Sequence, residues 1–134
     1  MQLIAFFVKK DNTLLVICAR TNLTENHKAL ISFLSKDNHG FKVVILSRIK
    51  TFKSFDQLKA YPTISCPGFW SYLKAKKIVI THGEFDYKPY TKMRHQTVIN
   101  MWHGIPLKKI GLQVNKCKTS WDFHIVNSVF QVLS

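Results

Sequence analysis

Short, nearly uninterrupted runs of β-branched and aliphatic residues constrain this chain more than any other feature. Thr13 to Ala19, Phe41 to Ser47, Lys77 to Thr81 and Thr97 to Trp102 are each bounded by turn residues or charges. Runs that stay apolar instead of alternating are strands covered on both faces, which is the pattern of a parallel sheet. Between the first two, Asn22 followed by Glu25 has the form of a reciprocal helix cap, and the helix would continue to about Lys36. It would turn Leu30, Phe33, Leu34 and Ala29 toward the sheet, and Asp37 to Gly40 would end it. Strand, helix, strand makes one right-handed crossover. Arg48 to Pro62 is polar and basic with weak helical character, and Ser65-Cys66-Pro67-Gly68 leads into a second helix over 69–75, with Pro67 suited to a first turn. Phe123 to Val126 adds a fifth, short strand, while residues 1–10 fit either a helix end or an edge strand. The expected fold is α/β: a Rossmann-like parallel sheet with helices on both faces, one domain over residues 1–134.

Chemistry-bearing residues gather after the fourth strand. The stretch Asn100 to Gly111 puts His103 at a strand end, directly before a loop broken by Gly104 and Pro106, with Lys108 and Lys109 close behind. In open α/β sheets that edge is where ligands bind. A histidine near neutrality can take a proton, Gly104 would let backbone amides approach a ligand, Pro106 would hold the loop, and the two lysines would attract phosphate. Each also has an ordinary structural reading: a strand-end histidine, turn residues and a solvated face. Trp102 reads as packing beneath the loop. His82 follows the third strand in Ile80-Thr81-His82-Gly83 and should reach the same sheet edge, as a substrate contact or as a plain loop histidine. His27, His39, His95 and His124 share no metal-ligand spacing, so neither a metal nor a cofactor is expected.

With 20 Lys and Arg against 7 acidic residues, the formal charge is +13, and acidic partners are expected. The lysines are scattered and form no zinc finger, basic helix or RNA-binding aromatic pattern, which leaves nucleic acid the weakest candidate behind a phosphate polymer or an anionic membrane surface. Cys18, Cys66 and Cys117 are odd in number and far apart, fitting a reducing compartment. The apolar run Leu3 to Val8 is too short to span a bilayer and lacks the basic residue that precedes a signal sequence. A cytoplasmic protein is expected, with a peripheral position on the inner membrane face left open.

Trp102-His103-Gly104-Ile105-Pro106-Leu107-Lys108 resembles the Trp-His-Gly-Thr-Pro-Leu-Lys motif of the CDP-glycerol glycerophosphotransferase family, the teichoic acid and capsule polymerases. The likeness extends to Asn26-His27-Lys28-Ala29-Leu30, to the strand Lys42 to Ser47, to Ala75 to Thr81 and to Asp122 to Phe130, and so covers roughly residues 13 to 134. It implies the first of two Rossmann-like domains of a GT-B type transferase. The implied reaction moves polyol phosphate from CDP-glycerol or CDP-ribitol to a polyol-phosphate or glycan acceptor, with release of CMP and His103 as general base. Ile105 departs from the pattern, replacing a threonine whose hydroxyl could bond phosphate. The family's nucleotide-binding half has no counterpart in these residues, and Val129 to Leu133 open a helix that Ser134 leaves short. A truncated fragment, inactive alone, is therefore expected. A non-catalytic basic module for anionic polymer or membrane, or a decayed gene product, is the alternative.

Overall fold

The computed structural model describes residues 7–20, 22–36, 40–48, 58–101 and 122–124. Six strands form one sheet: β1 (Asp11–Ala19), β2 (Lys42–Ser47), β3 (Lys59–Pro62), β4 (Ala75–Ile80), β5 (Thr97–Asn100) and β6 (Phe123–His124). Their order is β3-β2-β1-β4-β5-β6 and every neighbouring pair is parallel. Two α-helices are described, α1 (Glu25–Lys36) and α2 (Cys66–Lys74).

The uninterrupted apolar runs are explained by burial on both sides. Successive residues of a strand point to opposite faces, and β1 divides accordingly. Leu14, Val16 and Cys18 join Val44, Leu46, Ile78, Ile80 and Val98 beneath Tyr72 and Leu73 of α2. Leu15, Ile17 and Ala19 join Ile45, Val79 and Leu23 beneath Ile31 of α1, with Leu30 and Leu34 packed against them. Each fully buried aliphatic side chain is worth roughly 1.5–3 kcal/mol. Thus α1 covers one face of the sheet and α2 the other.

The link from β4 to β5 carries no α-helix and covers its face with tyrosines. Tyr87, Tyr90 and Met93 are buried against Tyr72, and the Tyr72 and Tyr90 rings stack at 4.6 Å. Gln96 pins this loop down: its amide nitrogen donates to the carbonyls of Tyr72 (2.6 Å) and Ala75 (3.1 Å), while its oxygen accepts from the Met93 N–H at 3.0 Å. One buried side chain thus satisfies a backbone N–H of the link and two carbonyls where α2 passes into β4.

Several expectations need correction. Lys59–Pro62 is a parallel strand paired with β2, where weak helical character was expected; pairing with an existing strand outweighs the local polarity. The cap of α1 is Thr24, not Asn22. Thr24 Oγ1 accepts from the His27 N–H at 3.4 Å, and His27 Nδ1 accepts from the Thr24 N–H at 3.3 Å, a capping box in which a histidine takes the place of Glu or Gln. Along α1 it is His27 and Ile31 that are buried, whereas Ala29 and Phe33 are exposed. The second helix begins at Cys66, three residues earlier than expected, because Ser65 Oγ accepts from the Gly68 N–H and caps it. Of the expected strand over 123–126, residues 123–124 are described, and 125–126 lie outside the described residues.

Candidate functional site

From β1 the chain moves outward through β2 to β3, then returns to the other side of β1 and continues through β4, β5 and β6. The direction of winding therefore reverses between β1 and β4. In open parallel sheets the crevice for a ligand opens at such a switch, beyond the carboxyl ends of the strands. Here those ends are Ala19 and Ile80.

A small polar cluster occupies this place. Immediately after β4, Thr81 is buried and His82 is partly exposed, its side chain retaining 37% of its accessible surface. Gly83 follows with φ +75°, a conformation that suits a residue without Cβ, and starts a single 3-10 turn over Gly83–Phe85. That turn brings Asp86 back under the strand end, where it is fully buried. Its Oδ2 accepts from the backbone N–H of Thr81 at 2.7 Å and of His82 at 2.9 Å, and lies 3.4 Å from the Thr81 hydroxyl. Its Oδ1 has no hydrogen-bond partner among the described residues and lies 3.5 Å from His82 Nδ1. Thr81 Oγ1 stands 2.9 Å from the same Nδ1.

His27 reaches the same region from the first turn of α1. Burial lowers its pKa to about 4; the Asp86 carboxylate pulls the other way and His82 reinforces the lowering. The ring is therefore neutral at physiological pH. Because its Nδ1 accepts from Thr24, the proton sits on Nε2, which is buried with no hydrogen-bond partner among the described residues. Cys18, on β1, feels the same carboxylate: burial, then the charge of Asp86, pushes its thiol pKa up, so it behaves as a small apolar group.

The exit of β5 is tied into the cluster. Ile80 pairs with Asn100, so the chain leaves β4 and β5 side by side. The Met101 N–H donates to the Ile80 carbonyl at 2.9 Å, and the Met101 carbonyl accepts from the Asn26 side-chain amide at 3.1 Å. Two elements, β4 and α1, thus hold the residue directly before Trp102. A cavity of about 390 Å³ lies at the other end of the sheet, beside Asp11, Lys42 and Lys59, at the strand starts. It takes no part in the crevice.

The sequence profile of CDP-glycerol:poly(glycerophosphate) glycerophosphotransferase matches residues 1–131. The chain belongs to this family. No curated protein matches it. Among solved structures, a histidine-to-asparagine variant of the wall teichoic acid polymerase TagF superposes with a TM-score of 0.68 at 15% identity. The match covers 94% of this chain and 34% of that one, so the chain spans about a third of that polymerase. The likeness establishes the Rossmann-like fold expected from the strand runs.

Of the residues singled out in the sequence, His82 stands where expected, at the carboxyl edge of the sheet. His103, Gly104, Pro106, Lys108 and Lys109 lie outside the described residues, as do Trp102 and Ile105. Thr81, Asp86, His27 and Asn26 were not picked out as a group. The spacing Thr81-His82-Gly83 to Asp86 held a signal: in a chain with few carboxylates, one sits four residues after a strand-end histidine across a glycine.

Proposed function

We propose that this chain forms the acceptor-side part of a polyol-phosphate transferase. A terminal hydroxyl of a polyol-phosphate or glycan acceptor attacks the β-phosphorus of CDP-glycerol or CDP-ribitol. A new phosphorus–oxygen bond forms as the bond to the bridging oxygen breaks, CMP leaves with that electron pair, and the hydroxyl proton passes to His103. General base catalysis of this kind is worth roughly 10²–10⁴ in rate. Gly104 and Pro106 shape the loop around the transferred phosphate, Lys108 and Lys109 draw in the acceptor's phosphates, and His82 contacts the acceptor from the neighbouring strand end. Residues beyond this chain bind the CDP group, so these residues alone do not turn over.

The observation that carries this reading is the family match across residues 1–131, which includes the whole Trp102 to Lys108 motif. The tether of Met101 supports it, because the motif begins one residue beyond a backbone position held at the switch point. The charge of +13 suits an anionic polymer and a peripheral place on an anionic membrane surface. No helix among the described residues is long and apolar enough to cross a membrane.

The test is CMP release from CDP-glycerol and from CDP-ribitol, with this chain alone and with a nucleotide-binding domain of the family added. Activity only on complementation, lost in His103→Ala, is the expected result. Turnover by the chain alone would place donor binding within these residues. Silence in both, with salt-sensitive polyanion binding that ignores His103→Ala, would favour a non-catalytic basic module.

A further inference from the structure

The transferase reading uses His82 as a ring that meets the acceptor, but it leaves open which ring nitrogen is basic. Neutral imidazole has one N–H and one lone pair, and the partner of one nitrogen decides the state of the other. The described neighbours of Nδ1 are Thr81 and Asp86. Thr81 Oγ1 lies 2.9 Å from it, Asp86 Oδ1 lies 3.5 Å from it, and the Thr81 hydroxyl lies 3.4 Å from Asp86 Oδ2.

Two arrangements of the protons are compatible with these distances. In the first, Nδ1–H donates to Thr81 Oγ1 and the Thr81 hydroxyl donates to Asp86 Oδ2. Every proton then points at a lone pair, and the chain of donors ends on the carboxylate. In the second, the Thr81 hydroxyl donates to a bare Nδ1. No proton then lies between Thr81 Oγ1 and Asp86 Oδ2, and the buried Asp86 Oδ1 faces the nitrogen lone pair of the partly exposed ring across 3.5 Å. Both changes are unfavourable, since an acceptor-only carboxylate gains nothing from another lone pair.

We infer that Thr81 and Asp86 are positioning residues that lock His82 as the Nδ1–H tautomer, making Nε2 the basic nitrogen turned to the acceptor. Asp86 can do this because its own place is fixed independently of His82's ring. The N–H groups of Thr81 and His82 hold Oδ2, and the left-handed Gly83 lets the turn close back on the strand. The arrangement has the logic of an aspartate that orients a catalytic histidine from behind. The acceptor part of this inference rests on the proposed transferase reading, whereas the tautomer does not.

Long-range proton–nitrogen correlation on the ¹⁵N-labelled 134-residue chain reads the tautomer directly, at about pH 8.5 where imidazoles are neutral. The His82 ring is assigned by its loss in His82→Gln. The expected spectrum has a protonated Nδ1 and a bare Nε2. In Asp86→Asn, the amide oxygen can keep the two backbone N–H bonds while its NH₂ turns to Nδ1, so the tautomer should flip to Nε2–H. In Thr81→Val, Nδ1–H should persist, now facing Asp86 alone. A wild-type ring protonated on Nε2, or an Asp86→Asn ring left unchanged, would overturn the assignment; the wild-type spectrum decides even if that variant fails to fold. Titrating wild type with glycerol 3-phosphate separates the two ideas. A shift at Nε2 supports its turning to the acceptor, and no shift removes that part while the tautomer stands on its own spectrum.

Discussion

His27 is the most informative single residue, because one side chain closes the helix cap and is buried beside the crevice. Its folded-state pKa of about 4 lies below the 6.5 of a free imidazole, so the unfolded chain binds the extra proton more readily between these values. Stability from keeping His27 neutral is thus complete above pH 6.5 and is lost as pH falls toward 4. The loss should reach about 3 kcal/mol, at roughly 1.4 kcal/mol for each pH step separating the two states. Urea unfolding across this range should show the loss in wild type and a clearly shallower dependence in His27→Gln, which can still accept from Thr24. Equal slopes in the two proteins would refute the buried neutral ring. The two described cysteines differ just as sharply: Cys66 is exposed and Cys18 buried with its thiol pKa raised. Iodoacetamide with peptide mapping should modify Cys66 on the native chain and reach Cys18 only on unfolding.

At the level of elements, the start of α2 shows how a local signal becomes a tight fit. Ser65 Oγ accepts from the Gly68 N–H at 3.1 Å and donates to the Pro62 carbonyl at 2.7 Å, joining the end of β3 to the helix. A Cβ on Gly68 would come within 2.5 Å of the Pro62 oxygen and 2.9 Å of Ser65 Oγ. Gly68→Ala should therefore cost about 2 kcal/mol or more, although alanine is the better helix former, and Ser65→Ala about 1 kcal/mol. Thermal or urea midpoints would expose the error if Gly68→Ala proved neutral. At the sheet's other margin, Asp122 Oδ2 accepts from the Val98 N–H at 2.7 Å, and the Asp122 N–H donates to the Val98 carbonyl at 2.8 Å. Burial raises the Asp122 pKa, but the hydrogen bonds from Lys92 and Val98 outweigh it and hold the carboxyl below its usual range. Asp122→Ala should release β6, seen as faster amide exchange at Val98 with little change at Val16 in the sheet centre. Strands covered on both faces were readable as continuous runs. Lys59–Pro62 was not, because an edge strand with charge and proline at its ends shows no such run.

For the whole molecule, the strand order determines what the parts can do together. The reversal between β1 and β4 places the ends of two strands and the first turn of α1 around one crevice. Two corrections bear on function. The cap expected at Asn22 belongs to Thr24 and His27, which brings a buried histidine into the site, and the strand that was not expected, β3, extends the sheet beyond β2, on the far side of β1 from β4. The family match over residues 1–131, set against a span of about a third of the TagF chain, makes complementation the natural experiment at this scale. With a family donor domain supplied, His103→Ala should lower CMP release at least about 100-fold, the usual contribution of a general base. Asp86→Asn should lower it by a smaller factor without weakening the association of the two parts.

The sequence by itself determined the fold class and the family. Both reside in contiguous residues: burial on two faces writes itself into uninterrupted apolar runs, and the Trp102 to Lys108 motif is read in order. Tertiary structure alone decided which polar groups meet. Asn26 holds Met101 across 75 positions of sequence, and His27 shares the field of Asp86 through contacts made only once α1 lies on the sheet. No local pattern encodes such meetings, because hydrogen bonds and charges act over a few ångströms of space, whatever the separation along the chain.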